Sequence, residues 1–288
     1  MLPRVFLLLV GFLFGQVTED HNIERVASKL AYADSPLWSH DSYLLYTDPP
    51  NNRIYKLAHG TAPAIFREDS KGATGMTFDA LGRLYVCETH TRRVTRLDKK
   101  GTADVVAEAW QGKKLNAPND IVVRKDGHVY FTDPAFGNQL DSRELDFYGV
   151  YHINPKGELS LAAKWTTRPN GIALSPNGHT LYITDSDART VRAYDIEKDG
   201  APINERILIS GIEGIPNGVR TDEKGNLYVA GKEVYIYNSS GKRISQINLG
   251  ETPSNLAWGD NNLGTLYVTA RTSVYRVQMD ATKGSVQY

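Results

Sequence analysis

Cysteine is almost missing from this chain. Cys87 stands alone among 288 residues, so no internal disulfide can brace the fold and no multi-thiolate metal cage can form. Net charge is missing too. The 33 basic residues balance 33 acidic ones, which removes the electrostatic case for nucleic acid or a lipid surface as partner. No helical period longer than two turns appears beyond the first 15 residues. The HExxH zinc signature, the GxSxG nucleophile elbow and a glycine-rich phosphate loop are all absent. No two of the seven histidines stand at metal-ligand spacing, so each reads as a surface or hydrogen-bonded structural residue. Cys87 sits within an apolar strand and reads as a small buried residue.

The one long apolar run is at the start. Residues 1–15 carry a single positive charge followed by VFLLLVGFLFG, too short to span a bilayer comfortably and patterned like a secretory signal peptide. Cleavage near Gly15–Gln16 would release an exported, soluble protein into a periplasmic or extracellular space, with no stable membrane insertion. Retention of the segment as an N-terminal anchor is the second reading.

What is abundant is repetition. YLLYTD, RLYVCE, VYFTD, LYITD, LYVAG and LYVTA each close an alternating segment, ending at Asp48, Glu88, Asp133, Asp185, Gly231 and Ala270. The intervals are 40, 45, 52, 46 and 39 residues. Between them lie turn signals such as KDG (125–127), SPNG (175–178) and EKG (223–225). Runs rich in Val, Ile, Tyr and Thr with period-two alternation read as strands. A repeat of this length holding about four strands is a propeller blade, and one blade cannot bury both faces of its own sheet. The expectation is an all-β, six-bladed β-propeller in one domain over residues 22–280.

A second repeat rides on the first. Counting back 14 or 15 residues from the strand ends reaches Asp34, Asn119, Asn170, Asn217 and Asn255, and counting back 13 from Glu88 reaches Gly75. Pro-Asn-(Asp/Gly) recurs at 118–120, 169–171 and 216–218, with Asp34-Ser35-Pro36 in the first repeat. A single Pro-Asn-Gly is an ordinary turn. Four copies at equivalent blade positions instead suggest a ring of oxygens at one mouth of the central channel. One carboxylate and three amides suit a hard divalent cation such as Ca²⁺. Asp120 lies beside the ring, either as a proton acceptor or bonded to backbone in its own turn. Glu88 with Arg92 and Arg93 reads as a solvated ion pair.

The segments CETHTRRVTRLDKKG (87–101), GKKLNAPNDIVVRKDGHVYFTDPAFG (112–137), ELDFYGVYHI (144–153), RPNGIALSPNG (168–178) and GIPNGVRTDEKGNLYVA (214–230) resemble the SMP-30/gluconolactonase/luciferin-regenerating family. The resemblance extends over residues 24–278. It implies a six-bladed propeller with a divalent cation, usually calcium, at one end of the channel, and hydrolysis of sugar lactones to aldonic acids. Zn²⁺, Mn²⁺ and Mg²⁺ are alternatives to calcium. By matching motifs, the resemblance makes Asp34 the first metal ligand, Asn170 the central ligand and Asn119 a substrate contact or further ligand. Asn217 falls where the family carries an aspartate that is both ligand and proposed general acid/base, and Asp34 falls where it carries a glutamate.

An amide oxygen can bind calcium but cannot take a proton near neutral pH. Asp34 and Asp120 are then the carboxylates left as bases. Two readings follow: a metal-dependent lactone hydrolase, or a calcium-stabilised propeller that binds a sugar acid or other small ligand without turnover. Substrate selection would fall to loops over the mouth at 135–148 and at 49–53 or 186–190, with Phe136, Gln139, Asp141 and Tyr148 as contacts.

Overall fold

Alternating strands of this kind must pair edge to edge and then stack face to face, and the chain does both. The computed structural model describes residues 22–98 and 101–285, so the leader read at 1–15 lies outside the described residues. Among the described residues the sheets with four strands number six, each antiparallel and in chain order apart from the last. The third blade is typical: Ile121–Val123, Val129–Asp133, Tyr148–Ile153 and Leu159–Trp165, running outward from the axis.

The sixth blade is built from both ends of the chain. Pro253–Gly259, Thr265–Ala270 and Ser273–Gln278 supply three strands, and Ile23–Ala27 adds the outermost in antiparallel register with Val277, Arg276 and Tyr275. This pairing closes the ring without leaving a sheet seam.

The core is distributed between blades. Tyr85, Cys87 and Val94 of the second blade pack on Ile121, Phe131 and Tyr151 of the third. Equivalent clusters join blades three and four, four and five, five and six, six and one, and one and two. Cys87 is fully buried in the first of these, and burial pushes its thiol up.

The threonine of the strand signature ties neighbouring blades at the axis. Thr47, Thr132 and Thr184 donate their hydroxyls to the Thr74, Asn170 and Asn217 carbonyls of the next blade, at 3.3, 2.6 and 2.6 Å. The acidic residue that follows has a different task. Asp48 accepts the N–H groups of Ala31 and Tyr32, and Asp133 those of Asn116 and Ala117. Each carboxylate is buried and pins the link that delivers the innermost strand of its own blade. Glu88 in the second blade is buried as well. It receives Arg93 Nε at 2.8 Å and Arg67 Nη2 at 3.0 Å, while Arg92 turns to the Leu115 and Asn116 carbonyls. The expected solvated pair is therefore a buried one. Although burial pushes the other way, the bonds from Arg93, Thr91 and Arg67 hold Glu88 below the usual range.

Candidate active site

The innermost strands touch their neighbours all the way round the axis, so their first residues form one rim. Inter-blade bonds fix which residues are equivalent. Gly75, Gly171 and Gly218 donate backbone N–H groups to the Asn119, Asn217 and Ser254 carbonyls of the following blade. Thr74, Ser186 and Ser254 donate hydroxyls to the Pro118, Pro216 and Ala33 carbonyls. The rim row that results is Asp34, Thr74, Asn119, Asn170, Asn217 and Ser254.

The four expected ring residues thus do share one row. Gly75 and Asn255 do not belong to it, because each sits one residue deeper, level with Asp120. Counting from strand ends misleads in the sixth blade because its first hairpin is longer: Thr269 lies 15 residues past Ser254, whereas Thr132 lies 13 past Asn119. The glycines after Asn170 and Asn217 are explained by proximity. A Cβ at Gly171 would run into the Asn217 carbonyl, and one at Gly218 into the Asn255 side chain. Neither adopts a left-handed backbone, whereas Gly178 of the second Pro-Asn-Gly does, at φ +70°. The same tripeptide is a strand start at 169–171 and a turn at 176–178.

Asp34 is 6 % exposed, and its Oδ1 accepts the Ser35 N–H at 2.7 Å. Burial pushes its carboxyl up to about 7, with Asp120 adding to the rise and the Ser35 N–H, Asn255 and Arg220 opposing it. Asn170 is buried. Its Nδ2 donates to Ser186 Oγ at 3.0 Å, and its Oδ1 has no partner among the described residues. A buried amide oxygen left unbonded costs about 1–3 kcal/mol, so this atom calls for a ligand. Asn119 and Asn217 are half-buried. Asn217 Nδ2 donates to the Tyr32 hydroxyl at 3.4 Å. Tyr32, which sequence reasoning missed, is 38 % exposed, and desolvation together with the Asp34 carboxylate pushes its phenol up. Its only sequence signal is position, two residues before Asp34.

Asp120 is 1 % exposed and fully engaged. Its Oδ1 accepts the Ile121 N–H at 3.0 Å, and its Oδ2 accepts the Ile172 N–H at 3.2 Å and Arg220 Nη1 at 3.4 Å. This is the backbone-bonding alternative, extended by an ion pair across the channel. Above the rim, Arg168 stacks on Phe136, 4.9 Å from the ring centre, and pairs with Asp187. The loops at 135–148 and 186–190 therefore meet beside Asn170. The histidines that come together, His128 and His152, hydrogen-bond at 2.7 Å within the third blade's sheet, not at the rim.

Among the described residues no group of three or more His, Cys, Asp or Glu side chains converges for a metal. The rim instead offers one carboxylate and three amides. The unpartnered Asn170 Oδ1 and the buried Asp34 carboxyl fit an oxygen-liganded divalent cation. Imidazole- or thiolate-seeking metals find no donor among these four side chains.

Residues 32–272 match the family described as SMP-30/Gluconolactonase/LRE-like region. A gluconolactonase from Zymomonas mobilis is 31% identical, over 89% of this chain and 81% of its own length. A solved gluconolactonase from Xanthomonas campestris superposes with a TM-score of 0.84 at 28% identity, covering 90% of both chains. A calcium-binding regucalcin from Agrobacterium tumefaciens shares the fold at 17% identity and a TM-score of 0.77, over 90% of this chain and 94% of its own.

Proposed function

Because the chain belongs to the SMP-30/gluconolactonase/LRE-like family, we propose that it is a lactone hydrolase of sugar-lactone substrates, with its active centre at the rim of Asp34, Asn119, Asn170 and Asn217. The observation that carries the reading is the buried, unpartnered Oδ1 of Asn170, level with the Asp34 carboxyl. Relatives that are gluconolactonases by name support the reaction class.

Asp34, Asn119, Asn170 and Asn217 would hold one divalent cation, with calcium the first choice for an all-oxygen set and Zn²⁺, Mn²⁺ or Mg²⁺ behind it. When bound, such an ion polarises a carbonyl and makes water more acidic. The chain's own residues do the rest. Water adds to the lactone carbonyl carbon and gives one proton to Asp34; the bond from that carbon to the ring oxygen breaks, and the released oxygen takes the proton back from Asp34, leaving a hydroxy acid. Asp34 fits the base better than Asp120, whose two oxygens are bonded to Ile121, Ile172 and Arg220. Asn119 orients substrate hydroxyls at the open side of the rim. Phe136 and Arg168 form the wall that selects among lactones.

We place the mature protein outside the cytoplasm, periplasmic or extracellular, on the strength of residues 1–15 alone. The second reading, a cation-stabilised propeller that binds a sugar acid without turnover, is favoured by one residue: the amide of Asn217. Metal-stripped protein, restored with each cation in turn and assayed for proton release from a panel of aldonolactones, separates the two. Cation-dependent proton release is expected. No rate with any lactone and any cation would overturn the hydrolase.

A further inference from the structure

The rim carries hydroxyls as well as oxygens for a cation, and they are not equally committed. Thr74 donates to the Pro118 carbonyl at 3.2 Å, and Ser254 to the Ala33 carbonyl at 2.6 Å. Tyr32 differs. Its hydroxyl accepts Asn217 Nδ2, and among the described residues its own proton has no acceptor. A phenol O–H is a donor throughout the neutral range.

The backbone around Tyr32 is fixed on both sides. Asp48 Oδ1 accepts its N–H at 3.0 Å and Asp48 Oδ2 that of Ala31 at 3.1 Å, while Leu30 and Ala33 donate to the Thr272 and Arg271 carbonyls. Four consecutive residues are thereby tied down, and the ring leaves this clamp toward Asn217, which lies two blades away around the axis. The side chain therefore reaches over part of the mouth, with its hydroxyl at the rim and the residue 38 % exposed. A fixed donor at the edge of an open site is the arrangement that stabilises charge developing in a reaction.

On the lactonase reading above, we propose that Tyr32 is a catalytic hydrogen-bond donor of this site: its O–H bonds the carbonyl oxygen that becomes negative as water adds and that gives up its charge when the ring opens. The phenol keeps its proton throughout, so the atoms and charges of the hydrolysis are unchanged, and the gain is confined to the transition state. Asn217, which cannot supply a proton near neutral pH, acts here by holding the tyrosine oxygen in place.

Tyr32→Phe removes this O–H and leaves the ring, the clamp and the rim oxygens. In steady-state assays with an aldonolactone that the wild type hydrolyses, the variant should lose about 10²-fold in kcat with KM within about threefold, as when one oxyanion donor is deleted. Its cation-induced rise in Tm should match wild type. A kcat within about twofold of wild type would overturn the proposal. Loss of the cation-induced rise would also overturn it, by making Tyr32 a support of the rim. A wild type inactive on every lactone would sink the lactonase reading itself, and the donor role with it.

Discussion

Arg220 crosses the channel from the fifth blade to place Nη1 3.4 Å from Asp120 Oδ2 in the third, and the same nitrogen meets the Ile172 carbonyl of the fourth at 3.2 Å. Three blades are stitched together by two charged side chains. Arg220 also lines a cavity of about 300 Å³ together with Met76, Ile121 and Trp258, and none of the rim residues Asp34, Asn119, Asn170 and Asn217 lines it.

Removing one member should be worse than removing both. The side chains are 9 % and 1 % exposed, and an uncompensated buried charge costs roughly 3–5 kcal/mol. Arg220→Leu is therefore expected to destabilise by about that amount, whereas Arg220→Leu with Asp120→Leu should recover much of the loss. Urea unfolding of both single variants and the double variant closes the cycle. Equal losses in single and double variants would mean that the backbone bonds of Asp120, not its ion pair, carry the stability.

The rim itself is tested by calcium. At 100 times Kd, one bound ion stabilises the folded state by about 2.7 kcal/mol. Asp34→Ala and Asn170→Ala should each erase the calcium-dependent rise in Tm, because one removes the rim's carboxylate and the other the amide oxygen with no partner in the protein. Asp120→Asn should keep most of that rise while lowering the starting Tm, since its oxygens serve Ile121, Ile172 and Arg220. If both rim variants respond to calcium like wild type, the ion binds elsewhere.

Blade number and the axial placement of Asp34, Asn119, Asn170 and Asn217 were legible in the sequence because a closed repeat puts equivalent positions on one circle. Other features depended on contacts between distant residues. Nothing in Glu88-Thr-His-Thr-Arg92-Arg93 says that Arg67, 21 residues away in the neighbouring blade, will reach Glu88 and bury it. Arg220 is likewise an ordinary strand residue until the ring closes and brings Asp120 within reach from two blades away, 100 residues back in the chain. Tyr32 carries no motif of its own. Its importance comes from Asn217, 185 residues on. Pro-Asn-Gly shows the limit most plainly, since only packing against the next blade separates the strand start at 169–171 from the turn at 176–178.

Acid should unfold the protein partly through His152. Burial first, then His128 and Arg124, push its pKa from 6.5 down to about 4, and His128 is lowered as well. The unfolded chain binds these protons first, so stability falls as the pH drops from about 6.5 toward about 4. Asp133 has the opposite sign: burial raises it to about 7, so its contribution is lost as the pH rises through that value. Comparing wild type with His152→Asn by denaturant unfolding at pH 8, 6 and 4.5 cancels the aspartate term. The wild type should lose ground to the variant as the pH falls, and parallel curves would show that the His128–His152 contact does not resist protonation.

Asn217→Asp is the substitution on which the two functional readings differ most. It leaves the backbone carbonyl that receives Gly171 N–H and Thr184 Oγ1 untouched, so the junction between the fourth and fifth blades should survive. What changes is the rim: one added negative charge beside Asp34, a second group able to take a proton, and the loss of the Nδ2 donor that holds the Tyr32 hydroxyl. Two like charges there repel, so the metal-free variant should melt below wild type. With calcium present the order should reverse, because two carboxylates bind a divalent ion better than one. If the wild type is a working hydrolase, proton transfer by a positioned carboxylate is worth about 10²-fold or more, and kcat on an aldonolactone should rise by less than that, because the hold on Tyr32 is lost. If the wild type only binds, activity should appear from none, and an aldonic acid should already protect the unmodified protein in a thermal shift. Calcium titrations of Tm together with lactone assays on the same two proteins decide it, and a variant with neither tighter calcium binding nor altered turnover would remove Asn217 from the site.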